Sequence, residues 1–186
     1  MSISITLHRS GTSRTQQVDT TTTGLDLFGS DRAVVAMRVD GNLVDLQREL
    51  HDGAEVEPVE ATSEDGLNII RHSATHVMAQ AVQQLYPEVN LGIGPFITDG
   101  FYYDFGNIEP VTPEVLSELE KRMKRIVKEN QRFVRRVTTE ESAREELADQ
   151  PYKLELIGTK GKGAEGASVE VGGGELTIYD NVRRNG

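Results

Sequence analysis

The sequence predicts an α+β protein made of two small domains. Three observations support this class. Apolar and polar residues alternate over residues 3–7, apolar residues recur at helical spacing over residues 67–85, and helix-like and strand-like segments then alternate to residue 180. With 186 residues, 37% of them apolar, the chain can bury two modest cores and does not have the composition of a disordered segment.

Composition excludes several classes of protein. The chain contains no cysteine, so disulfides and thiolate metal sites are absent from these residues. No apolar stretch approaches the roughly 20 residues that span a bilayer, and the first residues lack a signal-peptide core. We therefore expect a cytoplasmic protein with no membrane partner. A net charge of −10 argues against a surface that is basic overall and binds nucleic acid everywhere.

The first 61 residues are predicted to form a β-rich domain. Its segments follow the order ββαββ, with tight turns at Asp40-Gly41 and Asp52-Gly53. This order predicts a small β-grasp (ubiquitin-like) domain over residues 1–61. Predicted strands at 3–7 and 16–18 precede a short predicted helix at 25–28 and an apolar segment at 33–39, and the segments 43–50 and 54–59 complete the order.

The second predicted domain, residues 62–186, begins with a long helix. Thr62 or Ser63 can cap its first turn, and Pro87 stops it after Tyr86. An apolar stripe on this helix is expected in the core, with the histidines at 72 and 76 pointing elsewhere. The stripe consists of Leu67, Ile70, Ala74, Val77, Ala81 and Leu85.

The rest of this domain is predicted to be mixed α+β. Asp99-Gly100 marks a hairpin, and seven glycines between residues 158 and 174 indicate a mobile loop without the Gly-Lys-Ser/Thr sequence of a P-loop. The remaining predicted elements are a helix at 113–130, a strand at 133–137, a helix at 139–149, an extended or helical piece at 152–157 and a strand at 175–180. The buried side of the first of these helices is expected to carry Val115, Leu119, Met123, Ile126 and Val127.

One segment is strongly basic in this otherwise acidic chain. Between residues 121 and 136 there is a single acid, Glu129. Two readings stay open: a solvated helix face, or a track for an RNA backbone. The eight basic residues are Lys121, Arg122, Lys124, Arg125, Lys128, Arg132, Arg135 and Arg136.

A histidine pair is the candidate chemical group. His72 and His76 are four residues apart on one helix, so their Cβ atoms are about 6 Å apart and their imidazoles can share one metal or one water. Zinc requires at least three protein ligands, and the remaining histidines, His8 and His51, belong to the first predicted domain. The alternative is a hydrogen-bonded pair with a structural role, and no metal site is predicted.

Several separated segments resemble one family. They are 71–76, RHSATH; 92–105, GIGPFITDGFYYDF; 152–156, YKLEL; and 176–181, LTIYDN; residues 39–41 and 50–56 are similar to a TGS domain. Over essentially all 186 residues, the order of parts resembles the N-terminal region of bacterial threonyl-tRNA synthetases. The resemblance implies a TGS domain over residues 1–61. It implies a second additional (editing) domain, incomplete at its C-terminal end, over residues 62–186.

The resemblance also implies an activity and its residues. In that family the editing domain hydrolyses serine wrongly attached to threonine tRNA. The two histidines and the lysine of the editing cleft correspond to His72, His76 and Lys153, and the hairpin that borders the cleft corresponds to Tyr103 and Asp104. The basic segment would then contact the tRNA.

One departure from the family concerns a downstream segment. The family's cleft also uses a cysteine and a histidine, whereas this chain has no cysteine and no histidine after His76. We therefore expect a fragment of a threonine–tRNA ligase whose own editing activity is uncertain. ATP, magnesium and zinc are expected only in the aminoacylation core of the parent enzyme, with none here. The expected partner is threonine tRNA; the fragment would be a monomer and the parent a homodimer.

Two other functions remain as alternatives. One is a non-catalytic TGS-containing module that binds RNA or protein. The other is a regulatory TGS protein of the GTPase or stringent-response group, although the missing P-loop and the histidine pair argue against it.

Overall fold

A computed structural model describes residues 1–158, 169–172 and 175–183. The predicted α+β class is confirmed, because helices and strands alternate along the described chain. The chain divides into two compact units, Met1–Ile70 and Arg71–Gly186, and the division falls within one long helix, α2 (Glu64–Leu85). None of the helices in the described ranges has the length and apolar character needed to cross a membrane.

The first unit contains a five-stranded mixed sheet and one short helix. Its elements are β1 (Ser2–Arg9), β2 (Thr12–Asp19), α1 (Gly24–Phe28), β3 (Val34–Val39), β4 (Asn42–Val44) and β5 (Glu55–Glu60). The sheet order is β2-β1-β5-β3-β4. Strands β1 and β5 are parallel, and the other neighbours are antiparallel.

The core of the first unit follows from the alternation in β1. Ile3 and Ile5 point to the same face of the sheet as Met37 of β3 and Val56 of β5, the last two fully buried. Phe28 at the end of α1 packs on this cluster. The short helix therefore serves mainly to place one large aromatic side chain on the sheet.

Two turns of the first unit are joined by side chains. Asp40 has a φ of 51° in the β3–β4 turn. Its Oδ1 accepts from the Glu55 N–H at 2.9 Å, and its Oδ2 is 2.7 Å from Nε2 of His51. His51 Nδ1 lies 3.0 Å from the Asp52 carbonyl oxygen. Only the imidazolium can donate to both oxygens. The hydrogen bonds to the Asp52 carbonyl and then to Asp40 therefore raise the pKa of His51.

The second unit has shorter strands and more helices. Its elements after α2 are β6 (Asn90–Leu91), β7 (Phe96–Ile97), β8 (Gly100–Phe101), β9 (Phe105–Gly106), α3 (Pro113–Lys128), β10 (Arg132–Thr138), α4 (Glu140–Glu146), α5 (Pro151–Gly158), β11 (Val169–Gly172) and β12 (Glu175–Val182). An antiparallel sheet has the order β10-β12-β11, while β6 pairs with β9 and β7 with β8.

Two apolar clusters hold the second unit together. The larger one lies among α2, β6 and α3, and the smaller one joins α4 and α5 to β12. Residues 113–128 form a helix because Thr112 caps it, its Oγ1 accepting from the Val115 N–H at 3.4 Å, and Pro113 begins it. The fully or nearly fully buried members of the clusters are Ala81, Val82, Val89, Leu91, Leu119, Ile126, Ala143, Ile157, Leu176 and Ile178.

Parts of the predicted buried faces are wrong. Leu67 and Ile70 are 40% and 43% exposed, because they precede the second unit and lie outside its cores. Val127 is 66% exposed, because it is one residue, and hence about 100° of helix rotation, beyond the buried Ile126.

The glycine-rich loop predicted at 158–174 is only partly described. Residues 159–168 and 173–174 lie outside the described residues. Val169–Gly172 is a strand rather than a loop, because it pairs with β12. The piece at 152–157, left open between extended and helical, belongs to the helix α5.

The Asp40–His51 contact gives a pH-dependent contribution to stability. The pKa of His51 is raised in the folded chain, so its contribution is fully present below the unfolded pKa near 6.5 and is lost as pH rises through the folded pKa. We expect His51→Gln to lower the melting temperature more at pH 6 than at pH 8.5. Thermal unfolding followed at both pH values, with the exposed Gln47→Ala as control, measures this. An equal loss at both values would contradict it.

Candidate functional site

The histidine pair lies on α2 in direct contact. Nε2 of His72 and Nε2 of His76 are 3.1 Å apart, and the ring centroids are 4.8 Å apart in an edge-to-face arrangement. Helical spacing of four residues produces this geometry. One nitrogen must donate and the other accept, so a single hydrogen lies between the two Nε2 atoms.

From the sequence, His76 is expected to point away from the packed interior. The structure places its ring against that interior instead. Its ring lies edge-to-face against Phe133 of β10, with centroids 5.6 Å apart. Burial, then the charge of His72, then that of Lys153 lower the pKa of His76 to about 4. His76 is therefore a neutral imidazole at pH 7. Because its pKa is lowered by folding, protonation below pH 6.5 opposes folding, and stability falls as the pH drops toward 4.

Lys153 on α5 belongs to the same site. Its positive charge is close enough to lower the pKa of His76. Burial lowers the pKa of Lys153, although the charge of Glu146 opposes this shift. The structure thus brings three of the five predicted catalytic residues together: two imidazoles and one ammonium group with a reduced affinity for its proton.

Tyr103 and Asp104 have different neighbours. The Tyr103 ring stacks on Phe105 with centroids 4.7 Å apart, and burial raises the pKa of Tyr103 to about 12. Its ring covers Gly94 so closely that an added Cβ would lie 2.3 Å from the ring. Asp104 is exposed, and its backbone bonds to Gly92 and Ile93 at 2.9 Å each. These contacts make Tyr103 a packing residue of the segment around residues 92–105.

Part of the predicted basic segment forms an exposed helix face. Lys121, Lys124, Arg125 and Lys128 are exposed on α3, on the side opposite the buried residues of that helix. Arg132, at the start of β10, is exposed as well. We call these five residues the basic face.

Two other basic residues, Arg122 and Arg136, are engaged within the unit. Arg136 Nε lies 2.6 Å from Oδ2 of Asp180, and its Nη2 also bonds Glu146; these hydrogen bonds raise the pKa of Arg136. Arg122 Nε is 2.9 Å from Oε1 of Glu118. The side chain of Arg135 lies outside what the structure describes.

The sequence shows one acid within residues 121–136, but the fold places further acids next to the basic side chains. Besides the acids paired with Arg122 and Arg136, Glu120 lies 2.6 Å from Nζ of Lys124, and Glu129 pairs with Arg183 at 3.2 Å. Ion pairs at such exposed positions are worth about 1 kcal/mol or less, so a phosphate can compete for Lys124.

Sequence reasoning missed three residues next to the site. Phe133 contacts His76, and Asn181 Nδ2 donates to Oε1 of Gln80 at 3.1 Å. Gln80 is four residues after His76, so helical spacing could have indicated it. Phe133 and Asn181 depend on the pairing of β10 with β12, which no local pattern reveals.

The described residues offer no metal centre. In residues 1–158, 169–172 and 175–183, no group of three or more His, Asp or Glu side chains is placed to hold an ion. The pair His72 and His76 alone provides two of the three ligands that a catalytic zinc requires.

The fold and the site define an α+β protein with a histidine pair, one member of which is neutral at pH 7, and a lysine whose charge acts on that member. No family model matches the chain. Among curated proteins it is 59% identical over 182 residues to threonine–tRNA ligase of Streptomyces avermitilis, which is 97% of this chain and 28% of that protein. The ligase of Streptomyces griseus is 63% identical over 167 residues, 89% of this chain and 25% of that protein.

This chain is therefore homologous to part of the threonine–tRNA ligases, which confirms the resemblance stated from the sequence. These relatives are aminoacyl-tRNA synthetases by name. The ligase of Streptomyces coelicolor, 56% identical over 182 residues, gives the same coverage of 97% and 28%. The chain thus spans roughly a quarter of the length of the relatives it matches.

The two shifted histidines can be distinguished in one experiment. We expect the ring resonances of His76 to titrate with a midpoint of about 4, because its charged form is desolvated. His51 is expected to titrate above 6.5 in the same sample and serves as the internal control. Nuclear magnetic resonance of the histidine rings between pH 3.5 and 9 measures both. A midpoint near 6.5 for His76 would show that the ring is solvated.

Proposed function

We propose that this chain carries part of a hydrolytic editing site that removes serine from threonine tRNA. The observation that carries the proposal is the contact of His72 with His76 beside Lys153, with His76 kept neutral. The relatives that are named threonine–tRNA ligases support tRNA as the substrate class.

The site offers the groups that ester hydrolysis requires. A water attacks the carbonyl carbon of the aminoacyl ester while a neutral imidazole of the pair accepts its proton. The Lys153 ammonium group stabilises the negative charge that forms on the carbonyl oxygen. The carbon–oxygen bond to the ribose then breaks, and the imidazolium returns the proton to the departing ribose oxygen. At pH 7 His76 is unprotonated and has a free nitrogen lone pair, and its lowered pKa makes it a weak base.

The need for such a site follows from the similarity of the two amino acids. Serine lacks one methyl group of threonine, and a binding pocket can use a methyl or methylene for only about 1–3 kcal/mol of discrimination. A second, hydrolytic site corrects the errors that remain. A site that hydrolyses serine esters must in turn exclude the larger threonine.

Two further assignments belong to this proposal. The sheet order β2-β1-β5-β3-β4, with β1 parallel to β5, supports a β-grasp TGS domain in the first unit. The second unit would be the editing domain, and the basic face would contact the phosphates of the tRNA. Tyr103 and Asp104 would shape the border of the cleft rather than take part in proton transfer.

Properties of a whole ligase are also proposals for this chain. They comprise the use of ATP and magnesium in aminoacylation, zinc in the aminoacylation core, dimerisation and a cytoplasmic location. The chain matches only 28% of the Streptomyces avermitilis ligase, which supports assigning these properties to other parts of such an enzyme.

Replacing His76 tests the catalytic assignment. We expect His76→Ala to lower the rate of Ser-tRNA deacylation by about 10²-fold or more, the usual contribution of a general base. The assay compares serine and threonine esters of threonine tRNA, in the 186-residue chain and in one extended beyond Gly186. His8→Ala, the same change in the first unit, is the control and should leave the rate unchanged.

The possible outcomes separate the candidate functions. Hydrolysis that persists in His76→Ala would remove that residue from the mechanism. If neither chain hydrolyses the serine ester although both are folded, the non-catalytic RNA- or protein-binding module becomes the better assignment.

The basic face makes a separate prediction about tRNA binding. We expect Lys121→Glu with Arg125→Glu to weaken binding and to reduce the slope of log affinity against log salt by about 1–2, because each phosphate contact contributes nearly one unit of slope. Arg32→Glu with Arg48→Glu changes the net charge equally in the first unit and is the matched control. Fluorescence anisotropy with threonine tRNA at salt concentrations from about 50 to about 300 mM gives the slopes. Equal slopes for both variants would contradict a role for the basic face.

A further inference from the structure

Two contacts beside the neutral His76 ring join α2 to the β10–β12 strand pair. The first is His76 against Phe133, with ring centroids 5.6 Å apart. The second is the hydrogen bond from Asn181 Nδ2 to Oε1 of Gln80, at 3.1 Å. His76 and Gln80 are four residues apart and therefore face the same direction on the helix.

The two partners of α2 are also neighbours of each other. Phe133 and Asn181 are directly opposite in the antiparallel register of β10 and β12. Directly opposite residues in such a pair project from the same face of the sheet, with Cβ atoms about 5 Å apart. One turn of α2 therefore contacts the β10–β12 strand pair at two adjacent places, through a ring contact and through an amide hydrogen bond.

The amide contact is unusual for a contact that only stabilises. Asn181 Oδ1 is buried and has no hydrogen-bond partner among the described residues. Turning both amides end for end would let Gln80 donate to Asn181, but the Asn181 amide nitrogen would then lack a partner. A buried polar atom without a partner is destabilising, and two apolar side chains of similar shape would avoid this cost. The polar pair is better explained by the direction that a hydrogen bond imposes.

We propose that Gln80 and Asn181 are positioning residues. Their hydrogen bond fixes the position of α2 relative to the β10–β12 strand pair, so that Phe133 covers the His76 ring and excludes water from it. This inference rests on the proposed function only for its catalytic consequence. The positioning itself is a property of the folded second unit. The charged groups that act on His76 are His72 from its own helix and Lys153 from α5, and neither contacts the amide pair in the described bonds.

The test measures the state of the His76 ring directly. In Gln80→Leu we expect α2 to separate from Asn181, water to reach His76, and its titration midpoint to rise from about 4 by about one pH unit or more toward 6.5. Gln84→Leu is the matched control, because residue 84 lies one turn further along α2 and is exposed. The midpoint in the control should equal that of the unchanged chain.

A second variant approaches the same bond from the strand. Asn181→Leu removes the donor to Gln80 and should shift the His76 midpoint in the same direction. Circular dichroism identifies which variants are folded, so failure of one to fold leaves the other to decide. Unchanged midpoints in the folded variants would overturn the proposal.

Deacylation separates this inference from the proposed function. If the chain hydrolyses Ser-tRNA, the acidic limb of the pH–rate profile should move upward in Gln80→Leu together with the His76 midpoint, and a rate loss without that movement would overturn positioning. If the chain does not hydrolyse Ser-tRNA, the proposed function fails, while the resonance titration still tests positioning.

Discussion

The burial of His76 is the constraint on which the second unit's site depends. An imidazole in water is half protonated near pH 6.5, and burial of the ring, to which Phe133 contributes, keeps it neutral well below that pH together with the nearby positive charges. Burial without a hydrogen bond would be costly, and the 3.1 Å contact with Nε2 of His72 meets this requirement. Helix spacing, strand pairing and the lysine on α5 all act on this one ring.

Electrostatics divides the basic residues into two groups with different roles. Arg136 bridges β10, β12 and α4 through Asp180 and Glu146, so its charge is used inside the unit. Four of the five residues of the basic face, by contrast, lie on α3, whose acids are concentrated near its beginning and whose bases lie near its end, the arrangement that the helix dipole favours. A net charge of −10 therefore coexists with an exposed cluster of basic side chains.

The sequence was sufficient for local structure and insufficient for the neighbours of the site. Alternation predicted the β1–β2 hairpin, and the helix predicted at 113–130 is observed as α3, because such signals act within a few residues. The contact of His72 with His76 also followed from spacing alone. Phe133 and Asn181 could not be predicted, because they reach α2 only after β10 pairs with a strand more than 40 residues away. Chemical identity came from resemblance, whereas the protonation state of His76 required the packing.

A neutral histidine and a lysine with a lowered pKa are complementary in one site. The charge of Lys153 contributes to the lowered pKa of His76 and so keeps this imidazole unprotonated at pH 7, and burial lowers the pKa of Lys153. In a hydrolytic reaction, the attacking water loses a proton and negative charge forms on the carbonyl oxygen. The imidazole then has to accept the proton, and the ammonium group has to keep its positive charge beside the oxygen. The imidazole becomes charged while the oxyanion beside the ammonium group becomes negative, so the site's net charge changes little. In the proposed editing reaction, this balance limits the change in net charge that a partly buried site has to accommodate.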